Sequence, residues 1–144
     1  MKPAVRIVLV LMIPFLILSC SNRKGYTPAP YDGSRATIDV SGLPERDPAF
    51  YSVTIESTRV DFFLIRIGDD VQSYFDACKQ CYRKRLGFRY ENGRIVCKYC
   101  NVSYPIEDLK TGLGGCYPIR LKGNRQDGTF TITKDAFASG LQYF

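Results

Sequence analysis

Four cysteines in two equally spaced pairs constrain this chain more than any other feature. Cys78-Lys79-Gln80-Cys81 and Cys97-Lys98-Tyr99-Cys100 stand fifteen residues apart, a C-x2-C-x15-C-x2-C pattern. Thiols at i and i+3 of a tight turn aim at one point, and the amides of that turn donate to them. Two such turns on neighbouring hairpins make a tetrahedral four-sulfur cage, which suits zinc or iron. Cys78, Cys81, Cys97 and Cys100 are therefore the expected metal ligands. Cys116 is a further thiol outside this spacing, and Cys20 stands apart near the N-terminus.

Other uses of the pairs are open. A disulfide framework is natural in an oxidising compartment, although the five cysteines after Cys20 cannot all pair internally. Thioredoxin-like exchange places its C-x-x-C at the start of a helix in a βαβ unit. Here Tyr82-Arg83-Lys84-Arg85 leads through Leu86-Gly87 into a strand pattern. The chain has no histidine, which excludes Ser-His-Asp and Cys-His catalysis, HExxH zinc hydrolysis and haem attachment through C-x-x-C-H. No catalytic triad or phosphate loop is evident, so an electron-transfer or binding protein is expected rather than a catalyst.

Residues 1–19 read as a lipoprotein signal peptide. Lys2 and Arg6 precede a twelve-residue apolar run, Ile7 to Leu18, too short to span a bilayer comfortably. Ile17-Leu18-Ser19-Cys20 resembles the bacterial lipobox, which implies lipidation of Cys20 and anchoring to the membrane by two or more acyl chains. The expected location is outside the cytoplasm, lipid-anchored to the cell envelope. Removing the leader leaves 18 basic against 14 acidic residues. That surplus does not demand nucleic acid, and an exported chain does not normally meet it.

Residues 20–48, rich in Pro and Gly, read as the lipidated cysteine and a flexible tether. Residues 49–144 read as the cysteine-rich metal-binding domain. Tyr51 to Ile55 alternates, and Val60 to Ile67 (VDFFLIRI) is an apolar run of strand length. Gly68-Asp69-Asp70 marks a turn, with Val71 to Phe75 returning as an antiparallel partner. Leu86 to Tyr90 and Arg94 to Lys98 flank Asn92-Gly93, a hairpin signal. Gly112, Gly114 and Gly115 mark an irregular loop. Thr129 to Thr133 reads as a last strand, with Thr133 capping a short helix from Lys134 to Ser139 that Gly140 ends. The fold class is mainly β, a small antiparallel domain built from hairpins.

Phe62-Phe63-Leu64-Ile65, Phe75-Asp76-Ala77-Cys78-Lys79-Gln80-Cys81-Tyr82, Val96-Cys97-Lys98-Tyr99-Cys100-Asn101-Val102 and Gly114-Gly115-Cys116-Tyr117-Pro118-Ile119 occur in order, with Gly87-Phe88 and Ile132-Thr133-Lys134. This series, from about Phe50 to Phe144, resembles the membrane iron–sulfur-containing FtrD-like family. The family pattern has Gly after the fourth cysteine of the series and Asn after the fifth; here these are Asn101 and Tyr117. Asn tolerates the left-handed turn, whereas Tyr117 removes a polar group near the site. The resemblance implies a cysteine-ligated iron–sulfur centre and membrane redox or iron-transport partners. The layout is also similar to Rieske domains, with Cys-x2-Cys pairs at the ligand positions; this similarity puts Cys116 in the covering loop, as an additional or exchangeable ligand or a free thiol beside the metal. All-thiolate ligation implies a potential nearer about −400 mV than Rieske values.

Against a cluster, the leader lacks an Arg-Arg pair, whereas proteins that fold around a cofactor before export usually carry one. A chain threaded unfolded loads zinc or a single iron more easily. The alternatives to an iron–sulfur centre are therefore one structural Zn2+ in an interaction module, and a thiol oxidoreductase using a C-x-x-C pair. Lys79, Arg83, Lys84, Arg85, Arg89, Arg94 and Lys98 crowd the segment. They would stabilise the negative charge of four thiolates around a metal, dock an acidic partner, or form an ordinary solvated face.

Overall fold

The computed structural model describes residues 25–112 and 114–144, so the leader and Cys20 lie outside the described residues. The run Val60 to Ile67 is apolar at nearly every position because its strand is buried on both faces. Alternation survives only where one face meets water. The strand is β4 (Thr58–Ile67), following β1 (Thr27–Pro28), β2 (Arg35–Asp39) and β3 (Ala49–Ile55). Next come β5 (Asp70–Cys78), β6 (Phe88–Glu91), β7 (Arg94–Cys97) and β8 (Ser103–Pro105). The chain ends with β9 (Pro118–Leu121), β10 (Asn124–Gln126), β11 (Thr129–Thr133) and α1 (Lys134–Ala138).

Three sheets result. The central one has the order β1-β3-β4-β5-β9, flanked by β10-β11-β2 and by β6-β7-β8. All pairings are antiparallel except β1 with β3. Side chains of β4 and β5 serve the two flanks alternately, as a period of two requires. Val60, Phe62, Leu64, Val71, Phe75 and Ala77 join Ile38, Phe130, Ile132 and Phe137 in one buried cluster. Phe63, Ile65, Tyr74 and Cys78 join Phe88, Ile95, Cys97, Ile106, Leu109 and Cys116 in the other.

The expected hairpins form. In the β6–β7 turn both Asn92 (φ 50) and Gly93 (φ 77) are left-handed, the backbone that Asn-Gly supplies for a primed turn. Thr133 caps α1 by accepting the Ala136 amide. The helix stops at Ala138, and Gly140 has no left-handed backbone; a Cβ there would overlap the Phe75 ring.

The described part of the expected tether is structured. Tyr31 bridges to Ala36, β2 pairs along its length with β11, and Ala36, Ile38, Val40 and Leu43 are buried. The cause is legible in Arg35-Ala36-Thr37-Ile38-Asp39-Val40, whose strict alternation is a one-faced strand. The surrounding Pro and Gly residues masked it. After the irregular Gly loop the chain forms β9 from Pro118, a strand that the sequence pattern did not mark.

Candidate metal centre

β5 delivers Cys78 at its last position, and the β5–β9 pairing is irregular there. Tyr74 opposes Arg120 while Cys78 opposes Pro118, so β5 carries extra residues over this stretch. A bulge of this kind re-aims side chains and ends pairing. Cys81 follows before a three-residue 3-10 turn, Tyr82–Lys84, with Arg85 left-handed (φ 52). The first pair thus stands between two strands and not at the head of an α-helix. Its turn is held from inside: the Cys81 amide donates to Cys78 Sγ at 3.4 Å.

The second pair repeats this arrangement at the end of β7. The backbone amides of Cys100 and Tyr99 work to lower the Cys97 thiol. The turn closes through Asn101 N to Cys97 O at 3.0 Å and Cys97 N to Val102 O at 2.9 Å. Asn101 takes the left-handed backbone (φ 59), the conformation that Gly would otherwise supply there. Lys98 N to Gly87 O at 3.0 Å ties the second knuckle to the segment leaving the first, and Arg89 to Asn101 at 3.2 Å ties it to β6.

The loop bearing Cys116 covers both turns. Lys79 N donates to Tyr117 O at 3.0 Å, laying the loop on the first pair. Gly115 permits this approach, since a Cβ would overlap the Gln80 amide. Cys116 is buried, and its Sγ lies 3.7 Å from that of Cys81.

All five thiols therefore converge. Cys78, Cys81 and Cys97 form one set and Cys81, Cys100 and Cys116 another, with the sulfurs of each set within 4.8 Å of one another. Cys81 belongs to both. All five are free cysteines; Cys78, Cys97 and Cys116 are buried, while Cys81 and Cys100 are half-buried at the rim. In the same buried cluster Phe63 stacks on Tyr74 with ring centres 5.4 Å apart, giving the thiols an apolar floor.

The environment differentiates the thiols. Burial raises the Cys81 thiol, reinforced by Cys116 and Cys78, and burial also raises Cys97. The neighbouring Cys100, then burial, push Cys116 up to about 12. At Cys100 burial works upward, but hydrogen bonds from the Val102 amide and the thiols of Cys116, Cys97 and Cys81 hold it below its usual range. Thiolates are the ligating form, so a metal would displace protons here. An all-sulfur donor set on an apolar floor, with backbone amides at the knuckles, fits soft iron or zinc chemistry.

Sequence reasoning missed two supports. Asp76 is buried beside Cys78; its Oδ1 accepts the Phe88 amide at 2.7 Å, and the Tyr26 hydroxyl donates to its other oxygen. Burial lifts its carboxyl to about 6 despite these donors. The acid ties β5 to β6, and Gly87 (φ +67) leaves it room, because a Cβ there would overlap the carboxylate. An acid inside an otherwise apolar strand, Tyr74-Phe75-Asp76-Ala77, was the available signal; nothing local marked Tyr26.

No helix among the described residues is long and apolar enough to cross a membrane. No curated protein and no solved structure matches the chain. A family model does, over residues 43–144, with both cysteine pairs and Cys116 inside the match; the chain belongs to the FtrD-like family of membrane iron–sulfur-containing proteins.

Proposed function

We propose that this protein is a membrane-anchored carrier with a cysteine-ligated iron–sulfur centre, serving electron transfer or iron handling in the cell envelope. The observation that carries this reading is the convergence of five thiols from three chain segments into two donor sets sharing Cys81. Cys78, Cys81, Cys97 and Cys100 are the ligands, and Cys116 is the additional donor. When bound, such a centre supplies one-electron chemistry at a potential set by ligands, hydrogen bonds and exposure. The protein's own contribution is to hold the thiols together, keep an apolar floor beneath them and leave Cys81 and Cys100 at the rim. Lipidation at Cys20, after cleavage of residues 1–19, is the proposed anchor. The partners are membrane redox or iron-transport proteins.

A single structural Zn2+ is the second reading, favoured by the compactness of the cluster. A tetrahedron with Zn–S bonds of about 2.3 Å has edges of about 3.8 Å, within the 4.8 Å spread of the Cys78, Cys81 and Cys97 sulfurs. Visible absorption and elemental analysis of anaerobically purified protein separate the two. Broad visible bands that bleach with dithionite, with iron and sulfide present, are expected. A colourless protein with one zinc overturns electron transfer, and five titratable thiols or disulfides without metal overturn the centre itself.

A further inference from the structure

The charge of this protein is unevenly placed. Residues 79–102 hold Lys79, Arg83, Lys84, Arg85, Arg89, Arg94 and Lys98 against the single acid Glu91. That is the whole formal surplus of +6, so the rest of the chain carries thirteen basic and thirteen acidic residues. All of these cations except the half-buried Arg89 are exposed. The large apolar side chains exposed among the described residues fall in the same segment: Leu86 (48%), Tyr90 (39%), Tyr99 (51%) and Val102 (42%). Lys84 lies over the Tyr99 ring at 5.0 Å, so a cation of the first knuckle meets an exposed aromatic ring of the second.

The N-terminal end of the described chain comes to this surface. Tyr26 bonds to Asp76 and shares with Arg59, Arg85, Leu86 and Lys98 the lining of a cleft of about 630 Å³. Cys20, the proposed lipid anchor, stands six residues before Tyr26, a stretch that spans at most about 21 Å when fully extended. Cationic side chains interleaved with exposed apolar ones suit a bilayer with anionic headgroups, where charge and shallow burial act together.

We propose that the cysteine-bearing end of the domain rests on an anionic phospholipid surface, with Leu86, Tyr99 and Val102 entering the headgroup boundary and Arg83, Lys84 and Arg85 pairing with phosphates. The half-buried Cys81 and Cys100 then face the membrane plane, where a membrane-embedded partner would meet them. An acidic protein surface would use the same cations, but it leaves the arrival of the N-terminal segment at this face unaccounted for. The inference rests on the membrane association of the family and not on what the thiols hold.

The chain contains no tryptophan, so Leu86→Trp supplies a sole indole probe. Gln126→Trp is the control, because Arg125 contacts Asp69 at the opposite end of β5 from Cys78. Each full-length variant is reconstituted into vesicles of brominated phosphatidylcholine, with or without phosphatidylglycerol, and its metal content is measured in the same samples. Indole emission of the Leu86→Trp variant is expected to fall about twofold with phosphatidylglycerol and to recover in high salt, while that of the Gln126→Trp variant is unaffected. Reversing Arg83, Lys84 and Arg85 to Glu in the Leu86→Trp chain should abolish the quenching with metal content and thermal melting unchanged. Equal quenching of the two variants, or quenching of the Leu86→Trp variant that ignores phosphatidylglycerol and salt, overturns the proposal. So does the absence of quenching at position 86 in a chain whose Arg83, Lys84 and Arg85 are instead protected by an acidic protein. Loss of metal with intact quenching would sink the metal reading alone.

Discussion

The two sides of the central sheet are built from different materials. On one side, sixteen buried residues among those described close the space against β2, β11 and α1, and all of them are hydrocarbon. Phe62 meets Phe137 edge-on at 5.3 Å and lies against Tyr51 at 5.6 Å, while Phe75 contacts Tyr143 and Phe144. On the other side there are ten, of which three are cysteines, and two more cysteines pack at the edge. The sheet that covers them has strands of only four, four and three residues. The first side can be held by apolar burial alone, at roughly 25 cal/mol per Å² removed from water. The second places reactive sulfur where further hydrocarbon would otherwise sit, so a bound metal becomes part of its cohesion.

This contrast can be broken most severely from the hydrocarbon side. Phe62→Ala removes a fully buried ring and should cost about 3–5 kcal/mol, lowering the thermal midpoint of the whole domain, metal-loaded or not. A melt in which the cysteine side survives alone would show that the sides are independent. Cys97→Ser is the reciprocal test. Metal should be lost completely, and amide hydrogen exchange should rise across β6, β7 and β8 while β3, β4 and β5 stay protected. Uniform loss of protection would mean that the metal holds both sides. Cys116→Ser should retain the fold and bind metal more weakly. Loss as complete as that of Cys97→Ser makes Cys116 an obligatory ligand, and unchanged affinity in a metal competition assay removes it from the donor set.

Smaller changes sharpen the boundary. Gly87→Ala drives a methyl group toward the Asp76 carboxylate at a left-handed position and should cost about 1–3 kcal/mol. Chemical denaturation should show the loss, accompanied by weaker metal retention, because Gly87 O also receives the Lys98 amide. Thr133→Ala removes the cap of α1 and should cost about 1 kcal/mol without altering metal content.

Much of this division was legible in the residues. The doubled burial of β4 shows in Val60-Asp61-Phe62-Phe63-Leu64-Ile65, and the Asn92-Gly93 turn announces the hairpin that brings Cys97 beside Cys78. The four paired cysteines identify themselves by spacing. Cys116 does not, because its place depends on Lys79 N reaching Tyr117 O and on Gly115 clearing Gln80, both long-range facts. The N-terminal strands were obscured for another reason. Pro28 and Pro30 suggest a linker, yet an edge strand with one outward-facing side tolerates Pro, and β1 is such an edge. The five-residue alternation of β2 is too brief to overrule the Pro and Gly around it. Its meaning comes from β11, ninety or more positions away.

The alternation of β5 has a consequence for how this chain can change over time. Phe75 and Ala77 belong to the hydrocarbon side, Tyr74 and Cys78 to the sulfur side, so a point substitution in this strand is judged mainly by one neighbourhood. Each side can drift while the other stands still, and a descendant that lost its thiols could keep a folded scaffold. Gain or loss of one residue between Tyr74 and Cys78 is a different event. It would reverse the facing of the part of the strand that shifts, sending Cys78 toward the aromatic core if the C-terminal part moves. Length in this strand should therefore be held far more strictly than identity.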